Sequence, residues 1–415
     1  MGRDRGVKSG SEMADGLMQA QTEPQISQRS TRTANERHLP ELDGVRGIAC
    51  SLVVLMHCII GGAPPSLAPL RVIFFPFFVG GVDLFFVLSG FLIVGILLDN
   101  REAKNYFRVF WSRRILRIFP VYFLLLATYL AALAVHLHLN VPSLDVWLFK
   151  DNTLPAWSYA LFIQNYFMAL QNNTGSYWIG ITWSLAIEEQ FYLLVPLLVF
   201  LLNRRQMLAV ALACIVVAPV LRFLPSVDYY WFYFATPCRM DALMFGVAVT
   251  CVIRDEPILN FFRKWRFAFD GLILALVALS LDTPWLRMDS RIRYSVLAAI
   301  FAYWILRIFL VEAGWLRALL RSRLLVQIGL ISYPLYMYHQ AINGLVHGLL
   351  FGEPPNTFDF AHLAAAVLVI GISVTLAALS TRYFERPFRQ KGRTMKYSFE
   401  PARGAAAIQV TSPQI

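Results

Sequence analysis

The chain has 415 residues, 57% of them hydrophobic and only 15% charged, with a net charge of +11. A soluble domain is nearer half apolar and a quarter charged; here the excess is gathered into long apolar runs, which excludes an ordinary soluble enzyme and points to a polytopic membrane protein. The positive charge lies between those runs, where cytoplasmic loops are basic, so it is no argument for nucleic acid.

Residues 1–40 are polar and mix Arg3, Arg5, Lys8, Arg29, Arg32 and Arg37 with Gln, Ser and Glu; they read as a disordered cytoplasmic tail, with no signal peptide. Ten runs near the ~20 apolar residues a bilayer requires follow. They fall at 45–62, 75–98, 118–138, 180–202, 207–224, 236–253, 267–281, 294–311, 327–349 and 362–380. The apolar, aromatic stretch 155–171 is interrupted by Gln164 and Asn165 and reads as an interfacial or re-entrant helix on the outer face. Residues 389–415 form a basic C-terminal tail, expected in the cytoplasm. With the N-terminus inside, the inner loops hold fifteen Lys and Arg and the outer loops five, which supports both termini in the cytoplasm. The loop 282–293, with three arginines, is the discordant one. The five cysteines lie in or beside apolar runs without a CxxC pair and read as small embedded hydrophobes. No repeat at a fixed period is visible, which weakens an inverted-repeat transporter. The expected fold is all-α: a polytopic bundle of about ten transmembrane helices, with the membrane domain over 41–388.

Charge inside a membrane is costly, so each embedded ionisable group is a functional candidate. Arg46 and His57 in "ELDGVRGIACSLVVLMHC" are eleven residues apart. At ~100° per residue that spacing returns to within ~20° of the starting direction, with ~16 Å of rise, so both belong to one helical stripe. An anion-binding group then sits at the inner surface and an acid–base group deeper in. The plainer alternative is an anchoring arginine and a histidine bonded to a backbone carbonyl.

In "ITWSLAIEEQFYLLVP", Glu188 and Glu189 lie mid-span and point ~100° apart. One is expected to orient an imidazole and the other to meet a partner such as an arginine; a purely structural ion pair is the alternative. Arg114 and Arg117, three apart in "YFRVFWSRRILRIFPVY", share a face suited to phosphates or to ordinary basic anchoring. Asp83 in "VGGVDLFFVLSGFLI" and Arg239 and Asp241 in "TPCRMDALMFG" place charge in the outer half, facing one another or a polar substrate. The run "IGLISYPLYMYHQ" adds Tyr333, Tyr336, Tyr338 and His339. No metal site is expected.

Taken together, these blocks resemble the acyltransferase-3 family of integral membrane O-acyltransferases, which modify bacterial surface glycans. The carriers are the Arg-(ten residues)-His pattern of "LDGVRGIACSLVVLMH", "GVDLFFVLSGFLI", "RRILRIFPVY", "TWSLAIEEQFYLLVP", "TPCRMDALMFG", "IGLISYPLYMYH" and "TRYFERPFR", seven blocks in order over about 41–388. The resemblance implies ten helices in the bacterial inner membrane, a cytoplasmic acyl-CoA donor (acetyl the commonest), an acceptor met within or across the membrane, and a catalytic histidine at His57. Some members carry a fused extracellular hydrolase-like domain; this chain ends at 415 in a basic tail, which leaves open a separate periplasmic partner protein.

The expected mechanism follows. Arg46, Arg114 and Arg117 collect the phosphates of acyl-CoA, a co-substrate and not a permanently bound cofactor. His57 is the general base toward a carbohydrate hydroxyl, directly or through an acyl-histidine. Glu188 or Glu189 orients His57, and Asp83, Arg239 and Asp241 line the sugar-facing half. Membrane lipids are partners; nucleic acid is not. The competing class is a secondary transporter with a His/Glu proton relay.

Overall fold

The computed structural model describes residues 39–64, 68–139, 154–281, 288–311 and 313–399. The expected tail over 1–40, all but its last two residues, lies outside the described residues, as do 140–153, 282–287 in the discordant loop, and the end of the chain beyond 399. The described elements are all helical. In chain order they begin with α1 (Pro40–Leu55), α2 (Ala68–Val79), α3 (Gly81–Asp99), α4 (Tyr106–Leu139), α5 (Ala156–Ala160) and α6 (Gln164–Leu170). Next come α7 (Trp183–Leu201), α8 (Arg204–Arg222), α9 (Tyr229–Phe234), α10 (Thr236–Val252), α11 (Glu256–Lys264) and α12 (Arg266–Ser280). The last are α13 (Ser290–Leu310), α14 (Trp315–Leu320), α15 (Arg323–Leu330), α16 (Ser332–Phe351), α17 (Phe360–Leu379) and α18 (Arg386–Thr394).

Among the described residues, eight stretches are helical, long and apolar enough to cross a bilayer: Pro40–Ile60, Ile73–Asp99, Tyr106–His136, Gly180–Leu201, Arg204–Arg222, Tyr229–Val252, Ser290–Leu310 and Phe360–Thr394. The other two expected spans fall on α12 and on α15–α16. α12 has only 15 residues, about 22 Å of rise against a hydrocarbon core of about 30 Å. The run 327–349 is broken between α15 and α16, and α16 carries His339, Asn343 and His347 on its buried side.

Glycines set the closest helix contacts. A Cβ at Gly44 or Gly47 would lie 1.9 or 2.1 Å from the carbonyl oxygens of Leu320 and Leu325, and one at Gly329 would lie 1.9 Å from that of Asp43. α1 and α15 therefore pack backbone to backbone, as small residues permit in membranes. Gly90 of α3 and Gly246 of α10 meet Leu243 and Val87 in the same manner.

The interrupted stretch 155–171 forms α5 and α6, and the polar pair that interrupts it is a tie point. Gln164 Nε2 donates to Thr182 O at 3.0 Å and to Thr182 Oγ1 at 3.1 Å. Asn165 Nδ2 donates to Phe234 O at 3.1 Å, and its Oδ1 accepts from Gln190 Nε2 at 3.0 Å. Both are fully buried, whereas Trp157, Leu161 and Leu170 stay exposed. The segment thus has an apolar outer side and a polar inner side that knits α7 to the chain entering α10.

Candidate active site

α1 does not continue as a regular helix to His57. At Met56–Ile60 it opens into a π turn, closed by Gly61 N–H donating to Met56 O at 2.8 Å. Such single wide turns recur at functional sites. The stripe drawn for a regular helix therefore ends at Leu55, two residues before His57.

Inside that turn, His57 Nδ1 lies 2.9 Å from Nε2 of His339 on α16, with the rings stacked at 5.1 Å and 21°. His339 is fully buried, and its Nδ1 lies 2.8 Å from Tyr336 O and 3.2 Å from Leu335 O. A carbonyl only accepts, so this Nδ1 carries the proton. In neutral His339, Nε2 is then the acceptor, and His57 must donate Nδ1–H to it. The lone pair of His57 is left on Nε2. A half-buried pair whose proton positions follow from two backbone carbonyls presents one imidazole as a base.

His57 lines a cavity of about 400 Å³ together with Tyr177, Trp183, Tyr233, Tyr336, Gln340 and Asn343. No charged side chain lines it among the described residues. A second cavity, of about 180 Å³, is lined by Arg46, Arg114, Arg117, Ser89, Glu188 and Tyr192 among others. Arg46 from α1 and Arg114 and Arg117 from α4 thus meet at one concavity, as expected of an anion site. Asp43 accepts from Arg46 Nη1 at 2.5 Å. Arg114 keeps its Nε buried without a partner. Glu188 accepts from Tyr192 O–H at 3.0 Å, and Tyr192 is bonded in turn to Ser89 at 2.5 Å.

Val82 and Tyr336 line both cavities and so form the wall between them. The Tyr336 ring is pinned through its hydroxyl, which donates to Ile181 O at 3.1 Å and lies 2.7 Å from Ser184 Oγ.

Two expectations require correction. The first is the partner of His57. It is His339; Glu188 belongs to the arginine cavity, and Glu189 keeps Oε1 buried without a partner. The second concerns the substrate-lining reading of Asp83, Arg239 and Asp241, which line neither cavity; the alternative, that these charges face one another, matches the Arg239–Asp83 pair. Arg239 Nη2 donates to Asp83 at 2.8 Å with both side chains 1% exposed, and its guanidinium lies 3.9 Å from the centre of the Tyr294 ring. Asp241 accepts from Arg222 at 2.6 Å and from Ser295 Oγ at 2.6 Å. Charges this deeply buried survive by pairing with one another, so these residues hold α3, α8, α10 and α13 together.

His339 and Asn343, which both bond to His57, are residues that spacing arguments left unassigned. Tyr336, His339, Gln340 and Asn343 are three, one and three residues apart, one face of a helix. That periodicity in "YMYHQAIN" was the available signal.

Comparison with known proteins places this chain in a family. The family described as "Acyltransferase domain" matches residues 39–382. A Staphylococcus aureus protein assigned as an O-acetyltransferase is 27% identical over 397 residues, covering 87% of this chain and 59% of its own length. Peptidoglycan O-acetyltransferase OatA of Listeria monocytogenes is 27% identical over 389 residues, covering 88% of this chain and 58% of its own. A Bacillus subtilis protein assigned as a peptidoglycan O-acetyltransferase is 26% identical, covering 87% and 56%. The chain therefore spans a little under three fifths of the length of these relatives. No solved structure matches it. An acyltransferase family leaves the transporter reading without support, and the chain, with its apolar helices and seven ordered sequence blocks, belongs to the acyltransferase-3 family of multi-pass membrane proteins.

Proposed function

We propose that this chain moves an acyl group from acyl-CoA to a hydroxyl of a cell-envelope glycan, with His57 as the base. The observation that carries the reading is the pair of adjoining cavities: one exposes Arg46, Arg114 and Arg117, and the other exposes His57, whose bonding leaves its Nε2 lone pair available. The names of the relatives, O-acetyltransferases including one for peptidoglycan, support an acetyl donor and a peptidoglycan-like acceptor.

The charge count between spans supports an arginine cavity facing the cytoplasm of a bacterial inner membrane. The three guanidiniums match the phosphates of CoA. Glu188 lies among them as an acceptor for amide N–H groups of the pantetheine arm. The thioester passes the Val82–Tyr336 wall to reach His57. The acceptor hydroxyl gives its proton to His57 Nε2 while its oxygen bonds to the thioester carbon. As the tetrahedral intermediate collapses, the C–S bond breaks and the thiolate takes that proton back from the imidazolium. The ester and free CoA leave, and His57 returns neutral. His339, bonded to Nδ1, holds the tautomer throughout and disperses the charge on the imidazolium.

The test is CoA release by purified full-length chain given acetyl-CoA and peptidoglycan fragments. Release that depends on both substrates and on His57 supports the reading; none in the wild-type chain contradicts it.

A further inference from the structure

A π turn widens the backbone and leaves carbonyls that no helical N–H meets. Around His57 these carbonyls have found donors from elsewhere in the chain. Asn343 Nδ2 donates to the carbonyl oxygen of His57 itself at 3.0 Å. Thr357 Oγ1 donates to Ile59 O at 3.2 Å, and Thr357 N–H donates to Gly62 O at 2.9 Å. Asn343 lies on α16 and Thr357 in the connection from α16 to α17. Three donors from two residues therefore hold the turn and its exit.

The packing leaves the turn little freedom to slide. A Cβ at Gly62 would lie 2.6 Å from Asn356 Cα, so the two backbones touch. Gly352 ends α16 in the left-handed region at φ 66°, which turns the chain back toward α1. Asn343 is itself oriented by its bond: because His57 O can only accept, the amide nitrogen must face it.

We propose that Asn343 and Thr357 are positioning residues that latch the π turn and so set the direction of His57 Nε2. The inference rests on His57 being the base. Neither residue needs to touch the reacting atoms. Their effect passes through the backbone of residues 57–62, and it is separate from that of His339, which fixes the proton on the ring. A second consequence concerns the cavity: Pro354 and Pro355, in the same connection as Thr357, line it beside His57. The segment that latches the turn is therefore also a wall of the acceptor space.

The test compares full-length wild type, Asn343→Leu, Thr357→Val and Thr357→Ser, with His57→Ala as reference. Three quantities are read: CoA affinity by calorimetry, the kcat and donor KM of CoA release, and the rate at which diethylpyrocarbonate modifies His57, followed by peptide mass spectrometry. Asn343→Leu and Thr357→Val should lower kcat at least about tenfold, leave CoA affinity and donor KM unchanged, and alter the His57 modification rate. Thr357→Ser keeps both donors and should stay within about threefold of wild type. Unchanged kcat and unchanged His57 reactivity in folded, CoA-binding Asn343→Leu and Thr357→Val would overturn the latch. Equal losses in Thr357→Ser and Thr357→Val would also overturn it, since the hydroxyl would then be irrelevant. Should either variant fail to fold, the reactivity comparison between wild type and the other one decides. Full turnover in His57→Ala would instead remove the base on which the latch acts, a different and recognisable failure.

Discussion

One cavity gathers Arg46, Arg114, Arg117 and Glu188; the other, across Val82 and Tyr336, offers aromatic rings, amides and His57 and no charged lining among the described residues. In the proposed function the first holds an anion and the second keeps a neutral imidazole away from nearby charge. Keeping them apart has a physical reason. Guanidiniums beside His57 would disfavour the imidazolium that forms when it takes a proton, while a phosphate site without them would lack counter-charge. In the proposed reaction one substrate reaches into both environments past the Val82–Tyr336 wall.

The strongest way to break this comparison is to remove the base. His57→Ala should lower turnover by about 10²–10⁴-fold, the usual share of general-base catalysis, while CoA affinity stays at the wild-type value; CoA-release kinetics and calorimetry on one preparation check it.

Charges outside both cavities should behave differently. Arg239→Met leaves Asp83 buried and unpaired, a loss of about 3–5 kcal/mol, seen as a lower melting temperature and less folded protein. Adding Asp83→Leu should restore part of it. Retained stability in the single variant, together with lost acceptor use, would return Arg239 to the substrate site.

Within the arginine cavity, Arg114→Ala should raise donor KM by about one to two orders of magnitude, from roughly 1.5–3 kcal/mol per charged hydrogen bond and about 1.4 kcal/mol per decade. Arg117 is exposed, so its loss should cost less and should fade as salt rises. With kcat little changed, these variants mirror His57→Ala.

The two glutamates sharpen the division further. Glu188→Gln should change donor KM by a few-fold, because Glu188 sits among the arginines. Glu189→Gln should do less, since its Oε1 has no partner to lose. A kcat collapse in either would place a carboxylate beside His57 after all. The smallest effect belongs to the wall: Tyr336→Phe keeps the ring and loses the bonds to Ile181 O and Ser184, about 1 kcal/mol and a few-fold in turnover.

The apolar spans were legible in the sequence because bilayer thickness imposes a length that composition reveals. The arginine cavity was legible because Arg114 and Arg117 share a helical face, although Arg46 reaches it from 68 and 71 positions earlier in the chain. What failed was the partner of the histidine. His57 and His339 are 282 residues apart; periodicity along one helix is silent about which face of another helix it meets, and for Asp83 and Arg239, 156 apart, it left mutual pairing and substrate contact as open alternatives. The adjacent glutamates offered a nearer partner for the histidine, and the π turn at Met56, which no propensity announces, altered the stripe on which that pairing relied.

The division between the cavities is tested most directly by titrating CoA into purified wild-type chain, His57→Ala and the double variant Arg114→Ala/Arg117→Ala. We expect His57→Ala to bind as wild type does and the double variant to bind at least about tenfold more weakly. Equal affinity in the double variant, or lost affinity in His57→Ala, would contradict the assignment of donor binding to one cavity and proton transfer to the other.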